Sequence, residues 1–579
     1  MIMKRWMKYV RPHLRSFILG PCGMILEAIG EMFMPLILGL VINDGYEGTL
    51  TVGRSIGYAG ILIGIVLLMM SGGVAGAYFG SRASVNFAAD LRRDVYTKIQ
   101  KYSFSNIDKF SASSLVTRMT NDVTQLQNFV NMLLRMALRS PCMFIGGIIM
   151  AITLRPSLSV ILGVTMPMML LVIFMLIRLG MPRFAILQKK VDKLNATVRE
   201  NVTNVRVVKS FVREDHEIRK FETDNAELKT SGINAVKVMI YMMPVMNLFM
   251  YATIIAVIWL GHKEILHTGM PVGDLSAFIT YATQILSSLM MVSFLLMTSS
   301  RAMASAKRIC EVLDEVPDIQ DGQSADLDRR VGTGEIEFKN VTFRYYKNSE
   351  EAVLENINLK IPGGATVGII GSTGCGKTTL VSMIPRLYDV DEGEVLVDGI
   401  NVKDYSLVNL RDGIGIVLQK NLLFAGSIAD NLRWGDMEAS DEEMIKMAKY
   451  AAADKFVSTF KDGYDTELDK GGTNLSGGQK QRLCIARALL KKPKILILDD
   501  STSAVDTATE AQIRQAFRNE LPGCTKLIIA QRISSVMEAD TIVVMNDGRI
   551  TGVGTHAQLL ESNAEYSEIY YSQMDKKEA

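Results

Sequence analysis

Hydrophobic positions are distributed unevenly along the chain. Long apolar runs fill roughly the first 300 residues, and each run is long enough to cross a hydrocarbon layer of about 30 Å as a helix. The remainder combines short Val/Ile/Leu-rich segments, Gly-rich turns and amphipathic stretches, which are typical of a soluble α/β domain. The pattern predicts six transmembrane helices, near residues 17–42, 55–80, 132–154, 157–181, 236–260 and 273–298.

Basic residues predict how these helices are oriented. Lysines and arginines are frequent between residues 4 and 15 and in the long connections 81–131 and 182–235, whereas the short connections carry few. Because cytoplasmic loops carry an excess of positive charge, both termini and the long connections are expected in the cytoplasm. The long connections look helical, so the spanning helices should continue beyond the bilayer. The first run continues to Val41 without a small-residue cleavage site, so it is expected to be a retained helix.

Net charge and cysteine spacing narrow the class of protein. The formal net charge of the 579 residues is +2, which argues against binding nucleic acid through bulk electrostatics. The six cysteines lack the paired spacing of a metal site, which fits a reducing cytosol and a lipid bilayer.

Two acidic residues, Glu27 and Glu31, interrupt the first apolar run four positions apart and so share one helical face. Ionisable groups at membrane depth are costly and usually face a partner or a cavity. Two interpretations remain open. The carboxylates either bond to neighbouring helices or line a path for a cationic or polar substrate. Methionine-rich runs in the later spans are compatible with an adaptable apolar cavity.

The segment "TVGIIGSTGCGKTTL" predicts a phosphate-binding loop between a strand and a helix. Its glycines let backbone N–H groups surround phosphates, Lys377 neutralises phosphate charge and the Thr378 hydroxyl reaches Mg²⁺. A buried strand, "ILILDD", then places Asp499 at its end to hold the metal shell. The predicted ATP contacts in the loop are Gly371, Ser372, Thr373, Gly374, Cys375, Gly376, Lys377, Thr378 and Thr379.

The segment "NLSGGQKQRLCIARALL" resembles the signature of ATP-binding cassette (ABC) proteins. With six spans in front, the chain resembles a half-size ABC exporter of the multidrug type. The resemblance implies a polytopic α-helical membrane domain followed by an α/β P-loop cassette, with ATP and Mg²⁺ as ligands. The expected boundaries are 1–310 for the membrane domain, 311–333 for a linker and 334–572 for the cassette.

The resemblance also implies roles for residues outside the phosphate loop. Tyr345 looks like the aromatic residue that stacks on adenine, and Gln419 like the glutamine that senses Mg²⁺ and contacts the membrane domain. Asp506 resembles the turn that crosses to the opposite monomer.

The signature itself predicts a dimer. A predicted helix begins at Ser476 and Gly477 and offers amides, a hydroxyl and a favourable dipole to a phosphate. The chain already has one phosphate loop and no internal repeat, so this helix end is expected to close over ATP held by a second chain. The residues assigned to the partner's ATP are Leu475, Ser476, Gly477, Gly478 and Gln479.

Two positions depart from the family pattern. Asp500 stands where the family has a catalytic glutamate, and Gln531 where it has a switch histidine. Misplacing a catalytic group by about 1 Å can cost about a hundredfold in rate, and an amide cannot exchange a proton as imidazole does. The chain is therefore expected to bind ATP and hydrolyse it slowly.

Together these patterns favour the degenerate-site subunit of a heterodimeric multidrug exporter. It would work as an ATP-driven translocase in the cytoplasmic membrane, moving small hydrophobic or amphiphilic compounds outward. Its partner would be a half-transporter that supplies a catalytic glutamate and a switch histidine. Three alternatives remain open: a homodimer in which Asp500 is a working base, a lipid or peptide exporter, and an ATP-gated membrane protein that does not pump.

Overall fold

The computed structural model describes residues 2–322, 326–345, 349, 351–500 and 505–574. The chain divides into two compact units. The helical unit comprises Met1–Gln100 and Ser113–Asp314, and the α/β unit comprises Lys101–Ala112 and Glu315–Ala579. A short segment of the N-terminal half therefore belongs to the α/β unit.

Long helices account for most of the N-terminal half. They are α1 (Ile2–Val10), α2 (Leu14–Tyr46), α3 (Val52–Gln100), α4 (Phe104–Phe110), α5 (Ala112–Thr117), α6 (Val123–Met136), α7 (Arg139–Leu154), α8 (Pro156–Thr203), α9 (Val205–Ser210), α10 (Glu214–Thr268) and α11 (Val272–Asp314). Within the described ranges, six helical segments are long and apolar enough to cross a membrane, which agrees with the six predicted spans. Helices α3, α8 and α10 have 49, 48 and 55 residues, well beyond the roughly 20 that a bilayer requires. The spanning helices thus continue past the apolar segments, as predicted.

Close contact between α2 and α3 depends on glycine. A Cβ atom on Gly23 would lie 2.6 Å from the carbonyl oxygen of Gly72, and one on Gly72 would lie 2.8 Å from that of Gly23. Small residues at such crossings let two backbones approach and gain van der Waals contact where lipid offers no hydrophobic driving force. The Gly-rich sequence of this part of α3 therefore has a packing role.

The α/β unit continues after α4 with strands and short helices. They are β1 (Ile336–Phe343), β2 (Leu354–Ile361), β3 (Thr366–Gly371), α12 (Lys377–Ser382), β4 (Glu392–Val397), β5 (Ile400–Asn401), α13 (Leu407–Asp412), β6 (Ile414–Val417), β7 (Gly426–Ser427), α14 (Ile428–Arg433), α15 (Asp441–Tyr450), α16 (Asp454–Val457), β8 (Glu467–Leu468), α17 (Gly477–Leu490), β9 (Ile495–Asp499), α18 (Thr507–Glu520), β10 (Thr525–Ile529), β11 (Thr541–Asn546), β12 (Arg549–Gly554), α19 (His556–Ser562) and α20 (Ala564–Met574).

The central sheet brings the predicted site residues to one edge. In the described part of the chain its strand order is β12-β11-β3-β10-β9-β6, with all neighbours parallel except β11 and β12. Every residue of β9 and β10 is buried, as expected for strands covered on both faces. Ligands of such sheets bind beyond the carboxyl ends of the strands. The phosphate loop, Asp499, Gln531 and Gln419 follow or end β3, β9, β10 and β6 at that edge.

Candidate functional site

The phosphate loop connects β3 to α12 through glycines with positive φ. Gly376 caps α12 with φ 96°, and a Cβ atom there would lie 2.9 Å from the carbonyl oxygen of Val353. Only glycine adopts this conformation at low cost. The ammonium of Lys377 lies inside the loop, where it donates to the carbonyl oxygens of Gly371 at 2.9 Å and Ser372 at 2.6 Å. A positive charge is thus positioned among the loop's backbone groups.

Oxygen ligands for a metal lie beside the loop. The Thr378 hydroxyl donates to Oδ1 of Asp499 at 3.0 Å, so the last residue of β9 meets the first turn of α12. Asp499 is only 2% exposed, and burial, reinforced by the charge of Asp500, raises the pKa of its carboxyl. Hydroxyl and carboxylate oxygens are the ligands that Mg²⁺ prefers, so these residues fit the expected ion.

Asp500 joins two loops at the end of β9. Its backbone is left-handed, with φ 48°. The Gln531 amide donates from Nε2 to Oδ2 of Asp500 at 3.0 Å. Burial raises the pKa of Asp500, although the nearby Gln419 and Gln531 side chains and the charges of Lys377 and Arg532 act in the opposite direction. The two residues that depart from the family pattern are therefore direct partners.

An aromatic cluster surrounds Tyr345, the residue predicted to form a platform for adenine. The Tyr345 ring lies edge-on to Phe343 at 5.0 Å and to Tyr388 at 5.2 Å between centroids. Its hydroxyl is 2.9 Å from that of Thr379, and 46% of the residue is exposed. Burial raises the pKa of Tyr388 to about 12. The cluster leaves part of the Tyr345 ring exposed.

The signature residues begin α17 as predicted. Ser476 caps the helix by accepting from the backbone N–H of Gln479 at 3.3 Å, while Oε1 of Gln479 accepts from the Ser476 N–H at 2.9 Å. Gly477 and Gly478 form the first turn, and Leu475 is buried before it. This reciprocal capping fixes the helix end and directs its dipole outward.

The predicted dimer turn leads into α18. Asp506 caps this helix by accepting from the Thr509 N–H at 2.9 Å, and this hydrogen bond lowers the pKa of its carboxyl. Residues 501–504, between Asp500 and this turn, lie outside the described residues.

Comparison with known proteins decides the family. The model of the ABC transporter transmembrane region matches residues 17–289, and the ABC transporter model matches residues 354–503. The uncharacterized ABC transporter ATP-binding protein YfiB of Bacillus subtilis is 38% identical, over 99% of this chain and 99% of its own. The uncharacterized ABC transporter ATP-binding protein Rv1273c of Mycobacterium tuberculosis is 36% identical, over 99% of this chain and 98% of its own. The chain belongs to the ABC transporters.

The fold of this ABC transporter is that of an exporter. A solved structure of a bacterial Atm1-family ABC exporter with ATP bound matches it with a TM-score of 0.78 at 24% identity, covering 97% of this chain and 98% of that chain. The predicted fold class, six spanning helices followed by an α/β P-loop cassette, is confirmed. The family carries with it ATP binding and the assembly of half-transporters as dimers within the membrane.

Helix α4 of this ABC transporter packs inside the α/β unit. Asn106 donates to Glu315 at 3.1 Å, and Ser105 donates to Asp318 at 2.6 Å. The Phe104 ring lies 6.2 Å from that of Tyr388, between centroids. The short helix from the first long connection is therefore joined to the aromatic cluster that surrounds Tyr345.

The acidic pair in α2 has a counter-ion. Arg139, the first residue of α7, lies 3.5 Å from a carboxylate oxygen of Glu27 and 2.7 Å from one of Glu31. All three side chains keep between 21% and 30% of their surface exposed. The pair does bond to a neighbouring helix, and two carboxyl groups share one guanidinium.

Three residues of this arrangement escaped the sequence analysis. Arg139 could have been found, because a basic residue within a predicted apolar span is a natural partner for membrane acids. Tyr388 carries no local signal, since only the fold places it against Tyr345. Gln573 bonds to the backbone of Gln531 and Ile533, and nothing in its sequence context connects it to the nucleotide site.

Proposed function

We propose that this ABC transporter is the slowly hydrolysing subunit of a heterodimeric exporter in the cytoplasmic membrane. One observation carries the proposal. At the position of the catalytic base, Asp500 is one methylene shorter than glutamate, and its carboxylate accepts a hydrogen bond from Gln531. The proposal places the cassette and both termini in the cytoplasm.

The binding half of the site is complete. Lys377 and the backbone of residues 371–379 are proposed to hold the phosphates, and Tyr345 is proposed to stack on adenine. Thr378, Asp499 and Gln419 would hold Mg²⁺. When bound, the ion neutralises phosphate charge.

In the hydrolytic half of the site, Asp500 lacks the reach of a glutamate and Gln531 lacks the exchangeable proton of a histidine. A water held against the γ-phosphate has to be oriented by a carboxylate, and a displacement on the scale of 1 Å can cost about a hundredfold in rate. Gln531 can donate a hydrogen bond to a phosphate oxygen, but its amide cannot gain and lose a proton near neutral pH. We therefore expect ATP to be retained at this site.

Two surfaces support a second subunit. The capped start of α17 offers residues 475–479 to a nucleotide bound elsewhere, with Asp506 as the crossing turn. In the helical unit, the tip formed by α9 and the turn after it exposes Phe211 by 73% and Val212 by 80%. Exposed large apolar groups at a helix tip favour docking onto another protein surface.

The α/β unit offers a route by which nucleotide could be sensed. Adenine on Tyr345 would contact the cluster whose other side, Tyr388, touches Phe104 of α4. Since α4 comes from the first long connection between spans, we propose that it carries nucleotide-driven motion toward the helices.

The carboxyl groups of Glu27 and Glu31, which share the Arg139 guanidinium, favour a cationic amphiphile as cargo. Reconstituted vesicles can test this with one cationic and one neutral fluorescent dye. Glu27→Gln combined with Glu31→Gln should lower uptake of the cationic dye and spare the neutral one. Equal loss of both dyes would contradict a charge-selective path.

The division of labour is tested in the purified heterodimer. Replacing the partner's catalytic glutamate by glutamine should remove most ATPase activity, whereas Asp500→Asn should leave activity within about twofold, because this site contributes little turnover. A large loss from Asp500→Asn would favour the alternative in which Asp500 is a working base.

A further inference from the structure

We propose that Gln573, near the end of α20, is a positioning residue for the nucleotide site. It would hold the loop that follows β10 so that the Gln531 side chain stays directed at the nucleotide edge of the sheet.

The amide of Gln573 contacts the loop backbone at two points. Its Nε2 donates to the carbonyl oxygen of Gln531 at 2.9 Å, and its Oε1 accepts from the N–H of Ile533 at 2.8 Å. Ile533 is only 1% exposed, so its N–H has to be satisfied within the protein. One side chain thus fixes the backbone on both sides of Arg532.

The contact extends to Asp500. The Gln531 side chain donates to the Asp500 carboxylate. The loops after β9 and β10 are therefore connected by hydrogen bonds that begin at α20. Linked hydrogen bonds of this kind rigidify the groups they join.

Helix α20 is itself firmly held. The Tyr566 hydroxyl lies 2.7 Å from Nδ1 of His556, and the Tyr566 ring is fully buried. Asn546, the last residue of β11, donates to Glu565 at 2.9 Å. Because the helix is anchored to the sheet, Gln573 can act as a fixed support for the loop.

This support has a consequence specific to ATP. The effect on nucleotide binding rests on the proposed function, in which Gln531 contacts the γ-phosphate of ATP. ADP lacks the γ-phosphate. Loss of the Gln573 amide should therefore weaken ATP binding by about fivefold, the equivalent of one hydrogen bond, and leave ADP binding unchanged.

The test uses the full-length transporter with Gln573→Ala, Gln573→Glu and the control Ser572→Ala. In the described part of the chain, the Ser572 hydroxyl donates to the Ile569 carbonyl oxygen of its own helix at 3.0 Å. Amide exchange of Ile533 should rise about tenfold in Gln573→Ala, because a local opening costs less once the bond is lost. Gln573→Glu keeps an acceptor for Ile533 and should retain its protection, whereas its repulsion of the Gln531 carbonyl should still weaken ATP binding.

The variant Gln531→Ala distinguishes a failure of the role proposed for Gln573 from a failure of the role proposed for Gln531. If Gln531→Ala weakens ATP relative to ADP but Gln573→Ala does not, the positioning role of Gln573 is overturned. If Gln531→Ala affects both nucleotides equally, the proposed role of Gln531 fails, and exchange at Ile533 alone decides whether the clamp exists. Unchanged exchange in Gln573→Ala would overturn the clamp itself.

Discussion

The two halves of the nucleotide site differ in how their groups are held. Lys377, Thr378 and Asp499 sit on the phosphate loop, α12 and a fully buried strand, and they contact one another or the loop backbone. Asp500 and Gln531 lie on loops and contact each other through their side chains. Under the proposed function, binding and hydrolysis therefore depend on different atoms, and a chain could keep ATP binding while it loses hydrolysis.

The largest effect is expected on the binding half. Lys377→Ala should weaken ATP binding about a hundredfold, because a charge-assisted hydrogen bond to phosphate contributes about 1.5–3 kcal/mol. Equilibrium binding of a fluorescent ATP analogue to the purified transporter measures the change. Lys403→Ala, an exposed lysine outside the site, serves as the control and should bind normally. Unaltered binding by Lys377→Ala would show that the phosphate loop is not the nucleotide site.

A gain of function should come from the hydrolytic half. Asp500→Glu combined with Gln531→His restores reach and a titratable ring, and should raise turnover at this site at least about tenfold. The assay needs a heterodimer whose partner carries glutamine in place of its catalytic glutamate, so that the remaining phosphate release reports this site. Asp500→Asn in the same background is the matched control and should show no gain. An unchanged rate in the double variant would mean that other residues limit hydrolysis.

A smaller effect is expected at Tyr345, the predicted adenine platform. Tyr345→Ala should weaken ATP binding about fivefold, because stacking on a base contributes about 1 kcal/mol or more. Tyr345→Phe keeps the ring and loses only the hydroxyl contact with Thr379, so its affinity should stay within about twofold. Equal losses in both variants would assign the effect to the hydroxyl rather than to stacking.

The sequence predicted the binding half more fully than the hydrolytic half. A phosphate loop is a local pattern of glycines and one lysine, and apolar runs reveal both the six spans and the buried strand before Asp499. The side-chain bridge between Asp500 and Gln531 joins residues 31 positions apart and requires the parallel pairing of β9 with β10. Contacts from Tyr388 and Gln573 depend on tertiary packing alone, and no local sequence pattern encodes them.

The partner of Glu27 and Glu31 also depends on tertiary packing. Their spacing predicts one shared helical face, but the ion pairs to Arg139 depend on how α7 lies against α2. Burial of charge requires a partner, and the sequence could indicate the need without identifying which residue meets it.

The central claim is that this chain holds ATP and hydrolyses it slowly. The most direct measurement compares the chain purified alone with the same chain purified with its partner, recording bound nucleotide and phosphate release together. The account predicts near-stoichiometric Mg²⁺-dependent ATP binding with minimal release by the chain alone, and turnover that appears only when the partner is present. Vigorous phosphate release by the chain alone would contradict it.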